Sequence, residues 1–431
     1  MVRTAALVLA GALLAATLST AEGYEDTQLT VRISALRMVG PGRLGAEVVV
    51  AGFRPEPRPT IEPTVTIGAQ VVHRPPQPMI APRVPASIDL PAGRIRLGDV
   101  SVDEFTPVPP LEENLPVRVE LTVRQGDAAA TARQTAMVLL PTVIVPGYLN
   151  DIVEAADPDV MAGLERRGFS AGDPSPDLFW FQYRSRALSL RDAGTALAVY
   201  VRRVVLRATY AARINVVGYS LGGLIARWNI AFEPGWDHLV NRLILVGTPN
   251  QGSIASYVYA WYPAGIFART RAARELLPTF PFWRPDPQTP WTIPSDSRNP
   301  TLAELNAHPL PDSIRAYALY GRRDAGAISG VTGRLPDVTF SVGPGDGLVL
   351  TASVLGLPVN GGGGVPGLAD QFVATVDLGP QRHPNLLGAA IPKIAEILID
   401  RTTTYNVGPV PCACRPRAQE APRVLPLLDS F

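Results

Sequence analysis

The chain has 431 residues, of which 46% are hydrophobic and 18% are charged, and its formal net charge at pH 7 is +1. A chain of this length and composition can bury a large core and hold more than one domain. The small net charge gives no reason to expect nucleic acid or an acidic partner. The composition therefore indicates a globular protein whose partners are not selected by overall charge.

The first residues are typical of an export signal. Arg3 precedes an apolar run over 5–18 that is too short to span a membrane comfortably, and small residues follow it. We expect residues 1–21 to be a signal peptide cleaved near Ala21; the alternative is an uncleaved anchor helix. The predicted mature protein is exported, either secreted or periplasmic.

The cysteines contribute little to the predicted core. Cys412 and Cys414 are the only two, and both lie in the Pro-rich tail 402–431, which we expect to be poorly ordered. A disulfide between residues this close would be strained, and the sequence shows no cluster of metal-ligand type. We expect neither a core disulfide nor a metal. A disulfide from the tail to another chain is possible but has no support in the sequence.

Residues 24–138 are predicted to form an N-terminal all-β domain. Apolar and polar side chains alternate in 28–34 and 117–123, a compact apolar run covers 46–51, and Pro-rich spacers separate such segments. Short strands with turn signals favour a β-sandwich of immunoglobulin-like kind. No catalytic cluster is present there, and His73 is interpreted as a surface loop residue.

From residue 140 to 401 the pattern changes to strands that alternate with helices. Elements of these lengths indicate a doubly wound, mostly parallel sheet with helices on its faces, an α/β fold. The predicted strands are 142–148, 178–183, 214–219, 239–246, 314–320 and 371–376. The predicted helices are 157–167, 188–210, 224–231 and 386–400, with Asp157 as the cap of the first and Pro158 at its first position.

The segment 253–311 interrupts this alternation and is far longer than a normal connection, so we predict a functional insertion. It is rich in aromatic residues. They are Tyr257, Tyr259, Trp261, Tyr262, Phe267, Phe280, Phe282, Trp283 and Trp291. We expect the insertion to form a lid over the C-terminal edge of the sheet, where ligands bind in this architecture. An apolar lid suits an acyl chain; the alternative is an ordinary helical subdomain with its own core.

Ser220 is the candidate nucleophile. An apolar, β-branched run ends in Gly-Tyr-Ser-Leu-Gly, and a helical segment follows directly. A Gly-x-Ser-x-Gly pattern between a strand and a helix is typical of a nucleophile elbow, a strained turn that exposes the serine hydroxyl. Crowding at this turn demands small residues two positions before and after the serine, and Gly218 and Gly222 supply them. The alternative is a tight turn with a satisfied hydroxyl.

A serine nucleophile needs a histidine base. In folds of this kind the histidine follows the last strand, and the acid lies between the serine and the histidine in the sequence. His383 is the one histidine of four that fits, because His238 lies at the wrong edge of the sheet and His308 precedes the acid candidates. The alternative for His383 is a surface histidine before a helix.

Asp346 is the preferred acid. It lies between glycines in Gly-Pro-Gly-Asp-Gly, a geometry that lets the backbone fold around an imidazole. Asp324, just after a predicted strand, is the competitor, and Asp377 is unlikely to orient the histidine. The alternative for Asp346 is a plain Gly-Asp-Gly turn.

A tetrahedral intermediate also needs two N–H donors. We expect one from Leu221, the residue after the nucleophile. We expect the other from the turn at the end of 142–148, the first strand of the α/β region. In that loop Gly147 permits the turn, and the N–H of Tyr148 is predicted to point inward. The alternative is a simple Pro-Gly turn.

Several motifs together resemble those of α/β-hydrolase lipases, and most closely the lecithin–cholesterol acyltransferase-like and related bacterial lipases. They are Val-Pro-Gly-Tyr-Leu (145–149), Gly-Tyr-Ser-Leu-Gly-Gly (218–223), Gly-Thr-Pro-Asn-Gln-Gly-Ser (247–253), Glu-Leu-Leu-Pro-Thr-Phe-Pro-Phe-Trp (275–283) and Gly-Asp-Gly-Leu-Val (345–349). The resemblance covers roughly residues 140–400 and implies an esterase or lipase with the residues named above in the same roles. Pro146 stands where many members have histidine, and the disulfides of the animal acyltransferases are absent.

The sequence thus predicts an exported serine hydrolase that cleaves carboxylic esters, with lipid acyl esters as the expected substrates and transient contact with a lipid interface through the lid. No cofactor, metal or nucleic acid is expected. One alternative is an acyltransferase that uses the same triad with an alcohol acceptor. A second is a non-catalytic binding module. The triad alone also permits amidase or thioesterase activity, because it serves any acyl transfer.

Overall fold

The computed structural model describes residues 28–52, 56–79, 81–98, 100–103, 105–148, 157–172, 175–253, 270–280, 299–322, 344–359 and 362–399. The predicted signal peptide, the tail with its two cysteines, and residues 254–269 and 281–298 of the predicted insertion lie outside these ranges. Within them the chain builds two antiparallel sheets and one parallel sheet. None of the described helices is long and apolar enough to cross a membrane.

Two antiparallel sheets occupy the first part of the chain. The first sheet contains β1 (Thr30–Ile33), β2 (Arg37–Gly40), β3 (Arg43–Ala51), β7 (Arg83–Asp89), β8 (Arg94–Leu97) and β9 (Val100–Asp103), in the order β1-β3-β7-β8-β9 with β2 also on β3. The second contains β4 (Thr60–Ile67), β5 (Gln70–His73), β6 (Gln77–Pro78), β10 (Leu115–Gln125) and β11 (Ala128–Val138), in the order β11-β10-β4-β5 with β6 also on β4. Residues of both sheets share one hydrophobic core.

Strand β10 shows why this region folds as it does. Val117, Val119, Leu121 and Val123 are buried, whereas the residues between them lie toward the other face. Successive side chains of a strand point to opposite faces, and burying each aliphatic one contributes roughly 1.5–3 kcal/mol. The predicted strands here are confirmed, but the loop predicted for His73 is wrong: the residue ends β5, exposed, with Nδ1 3.0 Å from Thr64 Oγ1.

The third sheet is entirely parallel. Its strands are β12 (Thr142–Val145), β13 (Leu178–Trp180), β14 (Ile214–Tyr219), β15 (Val240–Val246), β16 (Arg315–Tyr320) and β17 (Phe372–Asp377), in the order β13-β12-β14-β15-β16-β17. The strands at its centre are buried on both faces, which explains their continuous apolar sequences. The C-terminal ends of β14, β15 and β16 lie side by side and form the edge that carries the candidate site.

Helices cover the faces of this sheet. They are α1 (Pro158–Glu165), α2 (Leu190–Tyr200), α3 (Leu206–Ala208), α4 (Leu221–Phe232), α5 (Trp236–Leu239), α6 (Arg271–Glu275), α7 (Pro300–Asn306), α8 (Thr351–Leu355), α9 (Leu368–Gln371) and α10 (His383–Ile399). As predicted, Asp157 caps α1: its side chain accepts hydrogen bonds from Asp159 N and Val160 N. A turn of π-helix, Val201–Val205, joins α2 to α3.

Several element boundaries differ from the predictions. The helix predicted over 188–210 contains the π-turn and ends at Ala208, because the Tyr210 carbonyl accepts a hydrogen bond from Leu111 N outside the helix. The strand predicted over 178–183 ends at Trp180, and the chain turns soon afterwards. The last helix begins at His383, earlier than predicted.

The segment 105–114, between β9 and β10, fastens the antiparallel sheets to the chain just before β14. Leu111 N donates to Tyr210 O at 3.1 Å, and Ala212 N donates to Leu111 O at 2.8 Å, so Leu111 forms an isolated parallel bridge with Ala211, just before β14. Asn114 accepts from Leu140 N at 2.9 Å and donates to Leu398 O at 2.8 Å. The two parts of the chain are therefore joined by backbone-directed hydrogen bonds as well as by the peptide chain.

Candidate active site

The sharp turn between β14 and α4 carries the predicted nucleophile. Ser220 has φ +53° and ψ −123°, and it is the one non-glycine residue with positive φ in the described part of the chain. Such a backbone conformation is costly for a residue with a side chain and is held only by surrounding structure. Ser220 N donates to Val246 O at 2.9 Å, which ties the turn to the neighbouring strand.

The glycines around Ser220 are required by close backbone contacts. A Cβ on Gly218 would lie 2.4 Å from Gly223 Cα, and a Cβ on Gly222 would lie 1.9 Å from Val145 O. Both distances are far below van der Waals contact. The Gly-x-Ser-x-Gly spacing therefore reflects the packing of the turn against α4 and against the end of β12.

Ser220, His383 and Asp346 are joined by hydrogen bonds. His383 Nε2 lies 2.9 Å from Ser220 Oγ, and His383 Nδ1 lies 2.6 Å from Asp346 Oδ2. The exposed fractions of these residues are 8% for the serine, 6% for the histidine and 2% for the aspartate. The structure thus brings together three residues that are distant in sequence, and the hydrogen bonds run from the candidate nucleophile through the candidate base to the candidate acid.

The loop after β16 holds the carboxylate of Asp346 in place. Its Oδ1 accepts hydrogen bonds from Leu348 N at 3.0 Å and Val349 N at 2.8 Å. Gly345 pairs with Leu350 in an isolated antiparallel bridge, which closes the loop. With Oδ1 held by backbone N–H groups, Oδ2 is free to face the imidazole, which is the geometry predicted from the glycines around this residue.

His383 is positioned by its backbone as well as by its ring. Its N–H donates to Asp346 O at 2.9 Å, and its carbonyl accepts from the Tyr219 hydroxyl at 2.6 Å. The rings of Tyr219 and His383 stack with centroids 5.2 Å apart and an interplanar angle of 27°. Burial, together with the Asp346 carboxylate, raises the pKa of Tyr219 far above its usual range, so its hydroxyl remains a donor.

The predicted oxyanion donors lie on both sides of Ser220. Leu221 is the first residue of α4, where helix N–H groups have no partner within the helix and favour negative charge. The loop with Tyr148 follows β12, and a Cβ on Gly147 would lie 2.9 Å from Ser220 Cβ. Both predicted donor segments therefore lie next to Ser220.

The loop that carries Tyr148 has its own anchors. The Tyr183 hydroxyl donates to Pro146 O at 2.9 Å, and its ring stacks on Phe181 with centroids 5.3 Å apart. The Tyr148 hydroxyl lies 2.7 Å from Thr270 Oγ1, at the start of α6. Thr270, in the predicted insertion, therefore contacts the loop that carries Tyr148 directly.

The remaining candidates lie elsewhere. His238 pairs with Asp237 at 3.2 Å on the surface, and His308 Nδ1 lies 2.9 Å from Glu304 O. Asp377 pairs with Arg322 at 3.1 Å and not with His383, and the sequence did not favour it as the acid that orients the histidine. Asp324 lies outside the described residues, as do Cys412 and Cys414. The structure shows no cluster of metal-ligating side chains among the residues it describes.

Sequence reasoning did not identify three residues that support the site. Tyr219 and Tyr183 bind backbone carbonyls, and such partners leave no signal in a sequence motif. Gly247, after β15, has φ +56°, and a Cβ there would lie 3.2 Å from both Asp346 Oδ2 and His383 Cε1. The glycine at the start of Gly-Thr-Pro-Asn-Gln-Gly was visible in the sequence, but its contact with the acid and base was not.

Comparison with known proteins agrees with this architecture. A family model described as the alpha/beta hydrolase fold matches residues 162–288. A triacylglycerol lipase of Burkholderia plantarii is 27% identical over 305 residues, which cover 67% of this chain and 77% of that protein. A triacylglycerol lipase of Pseudarthrobacter phenanthrenivorans is 27% identical over 230 residues, which cover 50% of this chain and 64% of that protein.

Among solved structures, the mature lipase BlEst2 of Bacillus licheniformis aligns with a TM-score of 0.41 and 17% identity, over 60% of this chain and 92% of that chain. The family match and the two relatives in sequence support one class of protein. The chain is an α/β hydrolase of the lipase and esterase type, a class of carboxylic ester hydrolases.

Proposed function

We propose that the chain is an exported serine hydrolase that cleaves acyl esters of lipids, with Ser220 as nucleophile, His383 as base and Asp346 as orienting acid. The observation that carries this proposal is the hydrogen-bond chain from Ser220 Oγ through the imidazole to Asp346 Oδ2. A hydroxyl is a weak nucleophile unless a base takes its proton, and a base works best when a third group fixes its tautomer.

The geometry supports the usual order of acyl transfer. Ser220 Oγ attacks the carbonyl carbon while His383 Nε2 takes the hydroxyl proton, and Asp346 stabilises the imidazolium that forms. The N–H groups of Leu221 and Tyr148 hold the oxyanion, a contribution worth roughly 10²–10³ in turnover for each donor. His383 then gives its proton to the leaving alcohol. Water, activated by the same histidine, attacks the acyl-enzyme and releases the acid.

Two observations favour a lipid ester as the substrate. The two relatives in sequence are both called triacylglycerol lipases. In addition, the contact between Thr270 Oγ1 and the Tyr148 hydroxyl supports a lid over 253–311 that lies beside the proposed oxyanion loop. A lid there suits an acyl chain, and we propose that it contacts the lipid interface. We propose hydrolysis rather than acyl transfer, because both relatives are called lipases.

Two further expectations are part of this proposal. Residues 1–21 act as the export signal, and the two antiparallel sheets form an immunoglobulin-like sandwich that assists the catalytic part of the chain. The shared core of the two sheets supports the sandwich. Partial proteolysis with mass spectrometry of the exported protein would test both, since it gives the mature N-terminus and the domain boundaries.

The decisive experiment compares the mature protein with Ser220→Ala on p-nitrophenyl esters of graded chain length. We expect kcat/KM to fall by at least about 10⁴-fold in the variant. Ser313→Ala is the matched control, because this serine bonds Asp237 O on the surface and lies far from the triad in the fold. Equal activity in wild type and Ser220→Ala would refute the proposal. Products formed with an added alcohol would separate hydrolysis from acyl transfer.

A further inference from the structure

A strongly basic segment precedes the nucleophile strand. Residues 184–207 contain six arginines and one acidic residue, so this segment is +5, and the other residues of a chain with net charge +1 sum to −4. The arginines are Arg184, Arg186, Arg191, Arg202, Arg203 and Arg207. Charge separated in this way creates a local potential that the overall net charge conceals, and it favours a negatively charged partner.

The fold turns most of this charge to solvent on one side of the molecule. Along α2 and the π-turn the buried residues pack on the sheet; they include Leu190, Ala193, Leu197, Ala198, Val201 and Val205. The opposite side is exposed and carries Arg191, Arg202, Arg203 and Arg207. At a rise of 1.5 Å per residue, the helical stretch from Arg191 to Arg207 is roughly 25 Å long. The arginines therefore form one elongated surface, which we call the arginine surface.

Carboxylates do little to neutralise the arginine surface. Asp192 is its one acidic residue, and it already lies 3.6 Å from Arg271 Nη1. Two carboxylates reach it from neighbouring elements: Glu233 Oε1 lies 3.5 Å from Thr195 Oγ1, and Glu275 accepts from Leu190 N at 2.6 Å. Glu275 also has Arg271 Nε at 3.6 Å. The surface therefore keeps a positive charge.

Apolar side chains are exposed among these arginines. Val199 and Val204 have exposed fractions of 44% and 43%, and both belong to the small set of large hydrophobic side chains that are exposed in the described part of the chain. A surface that combines cations with aliphatic groups matches the boundary between anionic headgroups and acyl chains. A nucleic acid would bind the arginines but would gain nothing from the valines.

The arginine surface begins next to the candidate active site. Leu190, at the start of α2, is bonded to Glu275 of α6, and Thr270 at the other end of α6 contacts Tyr148 of the oxyanion loop. We propose that the arginine surface binds the anionic headgroups of a lipid bilayer and so holds the catalytic edge of the sheet at the lipid. The binding step stands on charge and exposure alone; its consequence for lipid cleavage rests on the proposed function.

The test measures co-sedimentation with vesicles in the Ser220→Ala background, so that the lipid is not consumed. Vesicles of phosphatidylcholine mixed with phosphatidylglycerol are compared with vesicles of phosphatidylcholine alone. The variant Arg191→Gln/Arg203→Gln/Arg207→Gln removes three charges with a residue that favours helix. The matched control Arg32→Gln/Arg37→Gln/Arg83→Gln removes three exposed charges from the antiparallel sheets.

We expect binding to the anionic vesicles to fall about 100-fold in the first triple variant, because each arginine near such a surface contributes a factor of roughly five. The control should bind as the parent does, and salt should weaken binding of the parent. The proposal would be overturned if both triple variants lost vesicle binding equally, or if the first lost none. It would also be overturned if the parent bound neutral vesicles equally well, or bound DNA but no vesicles.

The same triple variants with Ser220 intact separate this proposal from the proposed function. Both should hydrolyse a soluble short-chain p-nitrophenyl ester at the parental rate, because none of the changed arginines contacts the triad. Parental vesicle binding by a protein that hydrolyses no ester would refute the proposed function and leave the arginine surface standing. If the protein hydrolyses the ester but does not bind anionic vesicles, the proposed function stands and the role of the arginine surface is refuted.

Discussion

The two edges of the parallel sheet each hold a carboxylate that is shielded from solvent, fully at Asp346 and partly at Asp177. At the C-terminal edge Asp346 accepts two backbone N–H bonds and faces an imidazole at 2.6 Å. At the N-terminal edge Asp177, just before β13, accepts a hydrogen bond from Ser170 N at 2.7 Å, and burial raises its pKa to about 7. The difference teaches that neighbouring groups, rather than burial itself, decide whether a carboxylate can orient a catalytic base.

The largest expected effect is the loss of kcat in Asp346→Asn, which tests the role given to this carboxylate. The amide would still bond within its loop, but it would present an N–H to His383 Nδ1 and so favour the wrong tautomer of the imidazole. We expect kcat to fall by roughly 10⁴-fold, with the midpoint of urea unfolding little changed. Asp377→Asn, near the same edge but paired with Arg322, is the control. Comparable losses in both variants would contradict the role given to Asp346.

Much of this catalytic edge could be predicted from the sequence. Ser220 lies in a pattern whose two glycines are required at this turn, because an added Cβ would lie 1.9 Å from Val145 O at Gly222 and 2.4 Å from Gly223 Cα at Gly218. Asp346 and His383 followed from the order of residues along a doubly wound sheet, because each comes after a predicted strand. Chain order is a one-dimensional property, which a sequence shows directly.

Other features could not be predicted, because they depend on where distant segments meet. Tyr183 and Tyr219 contact carbonyls 37 and 164 residues away, and any backbone could have supplied such an acceptor. The π-turn within the helix predicted over 188–210 leaves no mark in the hydrophobic pattern. The burial of Asp177 is likewise invisible, since nothing near it in the sequence distinguishes it from an exposed aspartate.

Asp177→Asn sharpens the comparison at the other edge. The pKa of Asp177 is about 7 in the folded chain against 3.8 as the reference for the unfolded chain, so the folded state holds its proton more tightly. The stability that this proton supplies is complete below about pH 4 and is lost as the pH rises to about 7. The amide does not titrate, and it can still accept from Ser170 N.

We therefore expect Asp177→Asn to raise the free energy of unfolding by about 2–4 kcal/mol at about pH 8 and to leave it unchanged at about pH 4. Urea unfolding at both values measures the difference. Asp127→Asn, in an exposed turn, should show no such dependence. A constant difference between variant and parent at the two pH values would show that Asp177 ionises normally in the folded chain.

Asn114→Ala tests how much the hydrogen bonds from the segment 105–114 to Leu140 and Leu398 stabilise the fold. The change removes the acceptor of Leu140 N and the donor to Leu398 O, and both partners lose a hydrogen bond in a partly buried place. We expect a loss of about 2 kcal/mol in the free energy of unfolding, with kcat/KM of the folded protein unchanged. Gln70→Ala, which removes a 3.3 Å bond to Thr106 O on the surface, is the control. A loss of activity without loss of stability would contradict this assignment.

The smallest expected effect returns to the catalytic edge. Tyr183→Phe keeps the ring on Phe181 but removes the hydroxyl that holds Pro146 O, so the loop with the Tyr148 N–H is less firmly placed. We expect kcat to fall about 10-fold, or roughly 1.4 kcal/mol, at unchanged KM, because an oxyanion donor acts in the transition state. Tyr200→Phe is the matched control: this tyrosine also contacts Phe181, but its hydroxyl bonds Trp180 O at 3.3 Å, away from the oxyanion loop. If both variants lose kcat equally, the loss comes from the packing of Phe181, Tyr183 and Tyr200 and not from the position of the oxyanion donor.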